Sequence, residues 1–308
     1  MKILYIANFD DIHSERWCSF FEQSGHEVHR YHAPRFSLKA ILGLRHMIQF
    51  WKPDVLHAQY AGAWGLMGAL CFFHPYVVTI HGSEFLLARS WRRRLVDWVL
   101  KRADLITTDS TRILKQLDPR KGRLIRFGVD VEKFKPNDGT KYPQTVAYRV
   151  GQGVVYDKET VMSCLEILFF EYKPIYWWPL ENMIEEEMIH LLQHMDVYIS
   201  TTLSDAGIAS TTAEAMACEL PCVVSDVAEN SEWIEHGVNG FLFPAADHQS
   251  LAAYIKILLE NPGLRRKFGE RSRKIICDRN NWHTEMAKME KLYKELADGK
   301  KGRKENAV

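Results

Sequence analysis

Cysteine is scarce and unpatterned. The 308 residues hold six, at positions 18, 71, 164, 218, 222 and 277. None stands at a spacing that grips zinc or closes a redox pair. A disulfide scaffold and a zinc module are excluded, and reduced thiols in a cytoplasmic protein are expected. Long apolar runs are lacking too. None reaches the roughly 20 residues that a bilayer-spanning helix needs, and the longest, residues 62–73, is interrupted by glycines. The first nine residues carry no secretory signal pattern. No internal repeat is visible. Charge of one sign is also missing: 40 basic residues against 39 acidic leave +1, without the basic excess of a nucleic-acid binder.

What is present is ordinary globular material, 46% apolar and 26% charged, enough for two cores at about 150 residues each. The charge is unevenly placed. Residues 1–136 hold 21 basic and 13 acidic side chains, and the remainder holds 19 and 26. A basic half joined to an acidic half predicts two domains with different partners, the first facing something anionic.

Short apolar runs predict strands at Lys2–Ala7, Tyr76–Ile80 and Leu105–Thr108, and at residues 26–32, 54–58 and 124–127. Amphipathic stretches separate them, such as 14–24 closed by Gly25 and 38–51 closed by Pro53. Strand alternating with helix is the pattern of a doubly wound parallel sheet. Residues 134–139, Phe-Lys-Pro-Asn-Asp-Gly, break it and read as a linker. The pattern then restarts with strands at Thr145–Arg149, 196–200 and 221–226. Helices are expected at 159–171, 183–194, 211–218, 249–260, 265–277 and 282–296. The expected organisation is an α/β domain over 1–136, a second over 137–297, and a polar disordered tail over 298–308.

Open sheets of this kind bind ligands beyond the carboxyl ends of their strands. Three segments follow predicted strands with suitable chemistry: Thr79-Ile-His-Gly-Ser-Glu84, Arg149-Val-Gly-Gln-Gly153, and residues 204–214, Ser-Asp-Ala-Gly-Ile-Ala-Ser-Thr-Thr-Ala-Glu. An arginine with exposed backbone N–H groups neutralises a diphosphate. A carboxylate such as Glu214 accepts hydrogen bonds from the paired hydroxyls of a ribose. A nucleotide-sugar site is the expected use.

At these residues the chain resembles the retaining glycosyltransferases of family 4 (glycosyl transferases group 1), whose fold is GT-B. The resemblance runs through Lys52-Pro-Asp-Val-Leu-His-Ala58, Thr79-Ile-His-Gly-Ser83, Ala103-Asp-Leu-Ile-Thr107 and Phe127-Gly-Val-Asp130. It is most specific from Glu214-Ala-Met-Ala-Cys-Glu-Leu-Pro through Glu232-Trp-Ile-Glu-His-Gly-Val-Asn-Gly-Phe-Leu-Phe-Pro244. It implies two Rossmann-type domains facing a central cleft, with sugar transfer from a nucleotide-diphosphate donor to a hydroxyl acceptor and retention of configuration. A glycan or lipid-linked acceptor is implied, with no metal or other cofactor. By the same resemblance Glu214 holds the donor ribose, Arg149 meets the diphosphate, Gly207 and Ile208 offer backbone amides to the donor sugar, and His81 lies by the reacting sugar.

Three features depart from the family pattern, one being the acceptor-side glycine pair near the first strand, which residues 8–13 replace. The family's first motif glutamate would fall at Ala206; the nearest carboxylate is Asp205, taken here as the second catalytic candidate. Between Glu171 and Pro179 a strand and helix of the second sheet are expected to be missing, which shortens that domain. An alternative reading is therefore a non-catalytic relative that serves as a partner or glycan-binding subunit, and a third is an epimerase of the same architecture.

Other histidines and glycines read as structural. His26, His29 and His32 cannot converge from one strand, His190 and His194 lack a catalytic glutamate between them, and Gly62, Gly65 and Gly68 suit close helix packing. The basic stretch Trp91-Arg-Arg-Arg-Leu-Val-Asp-Trp98 predicts a helix with Trp91, Leu95, Trp98 and Val99 near one face. Arg92, Arg93, Arg94 and Trp98 are candidates for an anionic membrane surface, which would make the protein peripheral on the inner face of a membrane.

Overall fold

The computed structural model describes residues 1–9, 12–32, 35–137, 139, 141–149, 156–171, 175–181, 183–204 and 206–305. In chain order the first elements are β1 (Lys2–Ala7), α1 (Ile12–Gln23), β2 (Glu27–His32), α2 (Leu38–Trp51), β3 (Val55–Gln59), α3 (Ala63–Leu70), β4 (Tyr76–Ile80), α4 (Ser83–Leu86), α5 (Ser90–Arg102), β5 (Leu105–Thr108), α6 (Thr111–Leu114) and β6 (Gly122–Leu124). There follow β7 (Thr145–Arg149), α7 (Lys158–Glu171), β8 (Tyr176–Leu180), α8 (Glu185–His194), β9 (Val197–Ser200), α9 (Ser210–Ala217), β10 (Cys222–Ser225), α10 (Asn230–Trp233), β11 (Gly240–Phe243), α11 (His248–Glu260), α12 (Pro262–Arg279) and α13 (Trp282–Glu305). They form two parallel sheets, ordered β2-β1-β3-β4-β5-β6 and β11-β10-β9-β7-β8.

The chain divides into one unit of Met1–Phe127 plus everything from Thr284 onward, and a second of Gly128–His283. This corrects the expected boundary after residue 136 and returns the last helix to the first unit. The cause is packing: Met286, Met289 and Tyr293 of α13 are fully buried. Tyr293 sits 5.0 Å from the ring of Phe21 in α1. Glu285 accepts the peptide N–H of Arg126 at 3.0 Å, and Glu290 lies 2.8 Å from His26 Nε2. An amphipathic terminal helix carries no mark of which core it will cover. Nor are residues 298–305 a disordered tail, since α13 runs on to Glu305, helped by the pairing of Lys294 with Glu290 at 2.8 Å, one turn apart.

In the first unit every residue of β3, β4 and β5 is buried, as both-faced burial of a parallel sheet requires. α3 packs between α2 and α5. It can approach because a Cβ on Gly68 would lie 2.6 Å from the Tyr76 ring, and one on Gly65 2.9 Å from the Tyr60 carbonyl. The sixth strand is Gly122–Leu124 rather than 124–127; just beyond it Ile125 still bonds the neighbour, its N–H donating to Thr108 O at 2.9 Å.

In the second unit alternate strand residues feed two cores. Ala147, Tyr198 and Cys222 enter one with Leu192 and Met216. Val146, Val197, Ile199 and Val223 enter the other with Leu168 and Phe241. Two strands were not expected. β11 completes one edge. β8 forms the other, pairing only with β7 among the described residues. Its Pro179 lacks an N–H to donate, which an edge position tolerates. The segment between Glu171 and Pro179 therefore does supply a strand. All six cysteines are free.

Candidate active site

In the first sheet β1 has β2 on one side and β3 on the other. The chain reverses its winding there, so the crevice of an open α/β sheet lies at the carboxyl ends of β1 and β3, with β4 next. β3 ends at Gln59 and leads into Tyr60, whose φ of 72° is left-handed. The Tyr60 N–H donates to Thr79 O at 2.9 Å and so holds the two strand ends together. The Tyr60 ring then stacks on His81, centroids 3.8 Å apart and planes 15° from parallel. His81 also meets Phe127 at 4.7 Å and His13 at 6.3 Å.

Burial pushes the His81 pKa well below the ordinary histidine value, and His13 and His57 add to it. The imidazole is neutral at pH 7. Its Nε2 is buried and has no hydrogen-bond partner among the described residues. A neutral ring with one nitrogen uncommitted can donate to, or accept from, a sugar hydroxyl.

Glu84 fixes this loop. One carboxylate oxygen accepts the His81 N–H at 2.9 Å and the Ala61 N–H at 3.5 Å, and the other accepts the Gly82 N–H at 2.9 Å. Burial raises its pKa while these backbone bonds pull the other way. Gly82 has φ of 134°, a conformation closed to other residues. Beneath the site, His57 Nε2 lies 2.7 Å from Thr79 Oγ1, which lies 2.6 Å from Thr107 Oγ1. His57 Nδ1 bonds the Tyr293 hydroxyl. His81 was a candidate from the sequence; Tyr60 and Glu84 were not, and Phe127 stood only within a segment quoted for the resemblance. Glu84 stood within the quoted segment, but nothing showed that it would turn back on the backbone.

In the second sheet the reversal falls at β7, which has β8 on one side and β9 on the other. Arg149 ends β7 and is half-buried, its guanidinium 3.5 Å from Leu180 O. The register pairs Tyr148 with Ile199, so Arg149 stands beside the end of β9. From there residues 201–209 lead into α9. Gly207 is buried and Ile208 half-buried in the last turn before it, and Glu214 lies in its second turn, half-buried. Arg149 thus lies at the carboxyl end of β7, and Gly207, Ile208 and Glu214 lie before and within the first two turns of the helix that follows β9. Asp205 lies outside the described residues. The same end is braced by side chains the sequence did not reveal. Ser200 Oγ lies 2.8 Å from Thr202 Oγ1, Thr201 Oγ1 donates to Asp157 O at 2.8 Å, and Ser225 Oγ donates to Thr202 O at 2.5 Å. Among the described residues no three His, Cys, Asp or Glu side chains are placed to hold a metal ion.

Of the membrane candidates, Arg92, Arg94 and Trp98 are exposed. Arg93 is not available: it bonds Asp97 at 3.0 Å and Phe85 O at 3.1 Å, and stacks 3.9 Å over the Phe85 ring. The core face of α5 is Val96, Val99 and Leu100 rather than the tryptophans. Among the described residues no helix is long and apolar enough to cross a membrane.

Two doubly wound parallel α/β units, each with its polar residues at a strand-end switch point, define a two-Rossmann protein of the GT-B fold. Sucrose-phosphate synthase from Thermosynechococcus elongatus superposes with a TM-score of 0.78 at 17% identity, over 97% of this chain and 100% of that one. HepE of Anabaena, in complex with UDP-glucose, superposes at 0.75 and 16% identity, over 96% of this chain and 100% of that one. Residues 7–133 match the Glycosyltransferase Family 4 domain and residues 177–275 the Glycosyl transferases group 1 domain. An uncharacterised glycosyltransferase of Methanocaldococcus jannaschii is 24% identical over 297 residues, 85% of this chain and 84% of its own length. The chain belongs to the family 4 type of glycosyltransferases.

Proposed function

We propose that this protein moves a sugar from a nucleoside-diphosphate donor to a hydroxyl acceptor, with retention of configuration. What supports this is the position of Arg149 at the end of β7 and of Gly207, Ile208 and Glu214 around the start of α9, the helix after β9, in a chain whose two units match the two glycosyltransferase domains. HepE's complex with UDP-glucose supports the class of donor.

In this proposal Glu214 accepts the ribose hydroxyls, and the amides around Gly207 and Ile208 meet the sugar. The bond from the anomeric carbon to the diphosphate oxygen breaks with its electron pair on the diphosphate. Arg149 and the first-turn N–H groups of α9 stabilise that charge. The acceptor oxygen bonds to the anomeric carbon on the same face, and its proton passes to the departing diphosphate. Neutral His81 of the first unit is the candidate histidine for hydrogen-bonding a sugar hydroxyl, and Asp205, outside the described residues, is the second catalytic candidate. With the diphosphate charge met by Arg149 and α9, no metal is needed. The acceptor proposed from the family resemblance is a lipid-linked or growing surface glycan on the cytoplasmic side.

Incubation with a panel of nucleotide sugars, UDP-glucose first, and mass-spectrometric product detection tests this, with turnover expected to survive EDTA. Glu214→Gln keeps the side chain's shape and weakens charge-assisted bonds of roughly 1.5–3 kcal/mol. Nucleotide affinity by calorimetry should fall about tenfold or more with the melting temperature little changed. Nucleotide binding without transfer or hydrolysis from any donor would leave a non-catalytic relative, and unaltered affinity would remove Glu214 from the site.

A further inference from the structure

The first unit has one helical layer whose outer surface is both apolar and cationic. Phe72, just after α3, is 57% exposed. Two guanidiniums meet its ring, that of Arg45 of α2 at 5.7 Å from the centroid and that of Arg102 of α5 at 4.6 Å. These contacts join α2 and α5 into one face across α3. On α5, Arg102 shares a stripe with Trp98, Arg94 and Trp91, spaced four, eight and eleven residues back. Trp91 is 67% exposed. On α2, Arg45 shares a stripe with Leu42 and Leu38, 55% and 71% exposed.

Acid is almost absent here. From Arg35 to Ala103 the sequence holds ten Lys and Arg residues against three acids. Glu84 is committed to backbone N–H groups, Asp54 accepts the Lys2 N–H at 2.8 Å, and Asp97 pairs with Arg93. Asp104, one residue further on, is paired with His74 at 2.7 Å and accepts the Tyr76 N–H, so among the described residues of 35–104 each acid already has a partner other than the exposed Arg92 and Arg94.

We propose that this α2–Phe72–α5 face docks on an anionic lipid bilayer. Charge complementarity selects an anionic partner. Exposed leucines and two tryptophans among the cations select a lipid surface over a nucleic acid, because indole rings and leucyl chains gain from the headgroup boundary and not from a phosphate backbone. The arginines meet lipid phosphates while Trp91, Trp98, Phe72 and Leu42 enter the boundary. Docking is independent of catalysis, since these residues lie on the helical layer and not at the strand ends. Its failure therefore leaves the proposed transfer untouched.

The test is co-sedimentation of the full chain with vesicles of phosphatidylglycerol and phosphatidylcholine, against phosphatidylcholine alone. Binding is expected only to the anionic vesicles. Release is expected at 1 M salt, where the screening length falls to about 3 Å from about 10 Å at 0.1 M. Arg92→Ser with Arg94→Ser should weaken binding at least about tenfold, at roughly a fivefold loss or more per basic residue. Trp91→Ser with Leu42→Ser should do the same while retaining the salt dependence. All four side chains are exposed, so the melting temperature without lipid should hold. Equal binding to neutral vesicles, or undiminished binding of both double variants, overturns the proposal. So does tighter binding to single-stranded DNA than to anionic vesicles. Self-association in sedimentation equilibrium that Trp91→Ser with Leu42→Ser abolishes would make the face a contact between copies and equally overturn it.

Discussion

His57 shows how one buried residue sets a condition on the whole first unit. Its ring is fully buried, and burial pushes its pKa down to about 3. The folded state holds it neutral, with one nitrogen on Thr79 and the other on Tyr293. The unfolded chain takes up a proton near pH 6.5, the ordinary histidine value. Because the depressed value belongs to a base, its stabilising share is complete above pH 6.5 and is lost as pH falls toward 3. Between those limits stability drops by about 1.4 kcal/mol per pH unit from this group. Going from pH 7 to pH 5 should therefore cost about 2 kcal/mol through His57, with His81 acting in the same direction. Urea denaturation at both pH values measures it. His57→Gln should lower stability at pH 7 and flatten the pH dependence by that amount; an unchanged slope would show that His57 does not carry it.

At the scale of elements, α3 decides a sign. Glycine inside a helix ordinarily costs about 1 kcal/mol relative to alanine, so Gly68→Ala looks stabilising from sequence. The structure reverses this. The new Cβ would meet two Tyr76 ring carbons and its hydroxyl oxygen at 2.6–2.9 Å, and that ring cannot retreat because its hydroxyl donates to Gly65 O at 2.5 Å. Overpacking of this kind costs about 1–3 kcal/mol, and Gly68→Ala should lower the melting temperature. Gly263→Ala, where nothing stands within 4 Å, is the control expected to be neutral or stabilising. A neutral Gly68→Ala would show that α3 can move.

The same scale explains what was legible. β1, β4 and β5 announced themselves as apolar runs between polar ends, and His81 as the residue after such a run. β8 did not, because Pro179 argues against a strand until an edge position is known. Tyr60 and Glu84 stayed hidden because their roles depend on a left-handed backbone and a side chain folded back on peptide groups, neither of which leaves a periodic signal. Arg149 and Glu214 were proposed through the family resemblance, and the bonds of Ser200 to Thr202 and of Thr201 to Asp157 came only through the fold.

For the whole molecule the order of the chain matters more than either sheet. The first unit is opened at Phe127 and closed only when the chain returns at Thr284, whereas the second is one continuous stretch. Among the described residues its two cores draw only on positions 129–277. The first unit depends on α13 for Met286, Met289 and Tyr293, all fully buried. At about 1.5–3 kcal/mol for each large side chain removed from water, losing these three costs roughly 5–9 kcal/mol, against a typical total of about 5–15. Loss of α13 also strands the His57 nitrogen and the Arg126 N–H that Tyr293 and Glu285 satisfy. Residues 128–283 expressed alone should therefore unfold cooperatively, with protected amides in hydrogen exchange. Residues 1–127 alone should show neither, and a synthetic peptide of 284–305 added in excess should restore amide protection to them. If 1–127 folded cooperatively without the peptide, α13 would be a cover on a finished domain and not its last structural part.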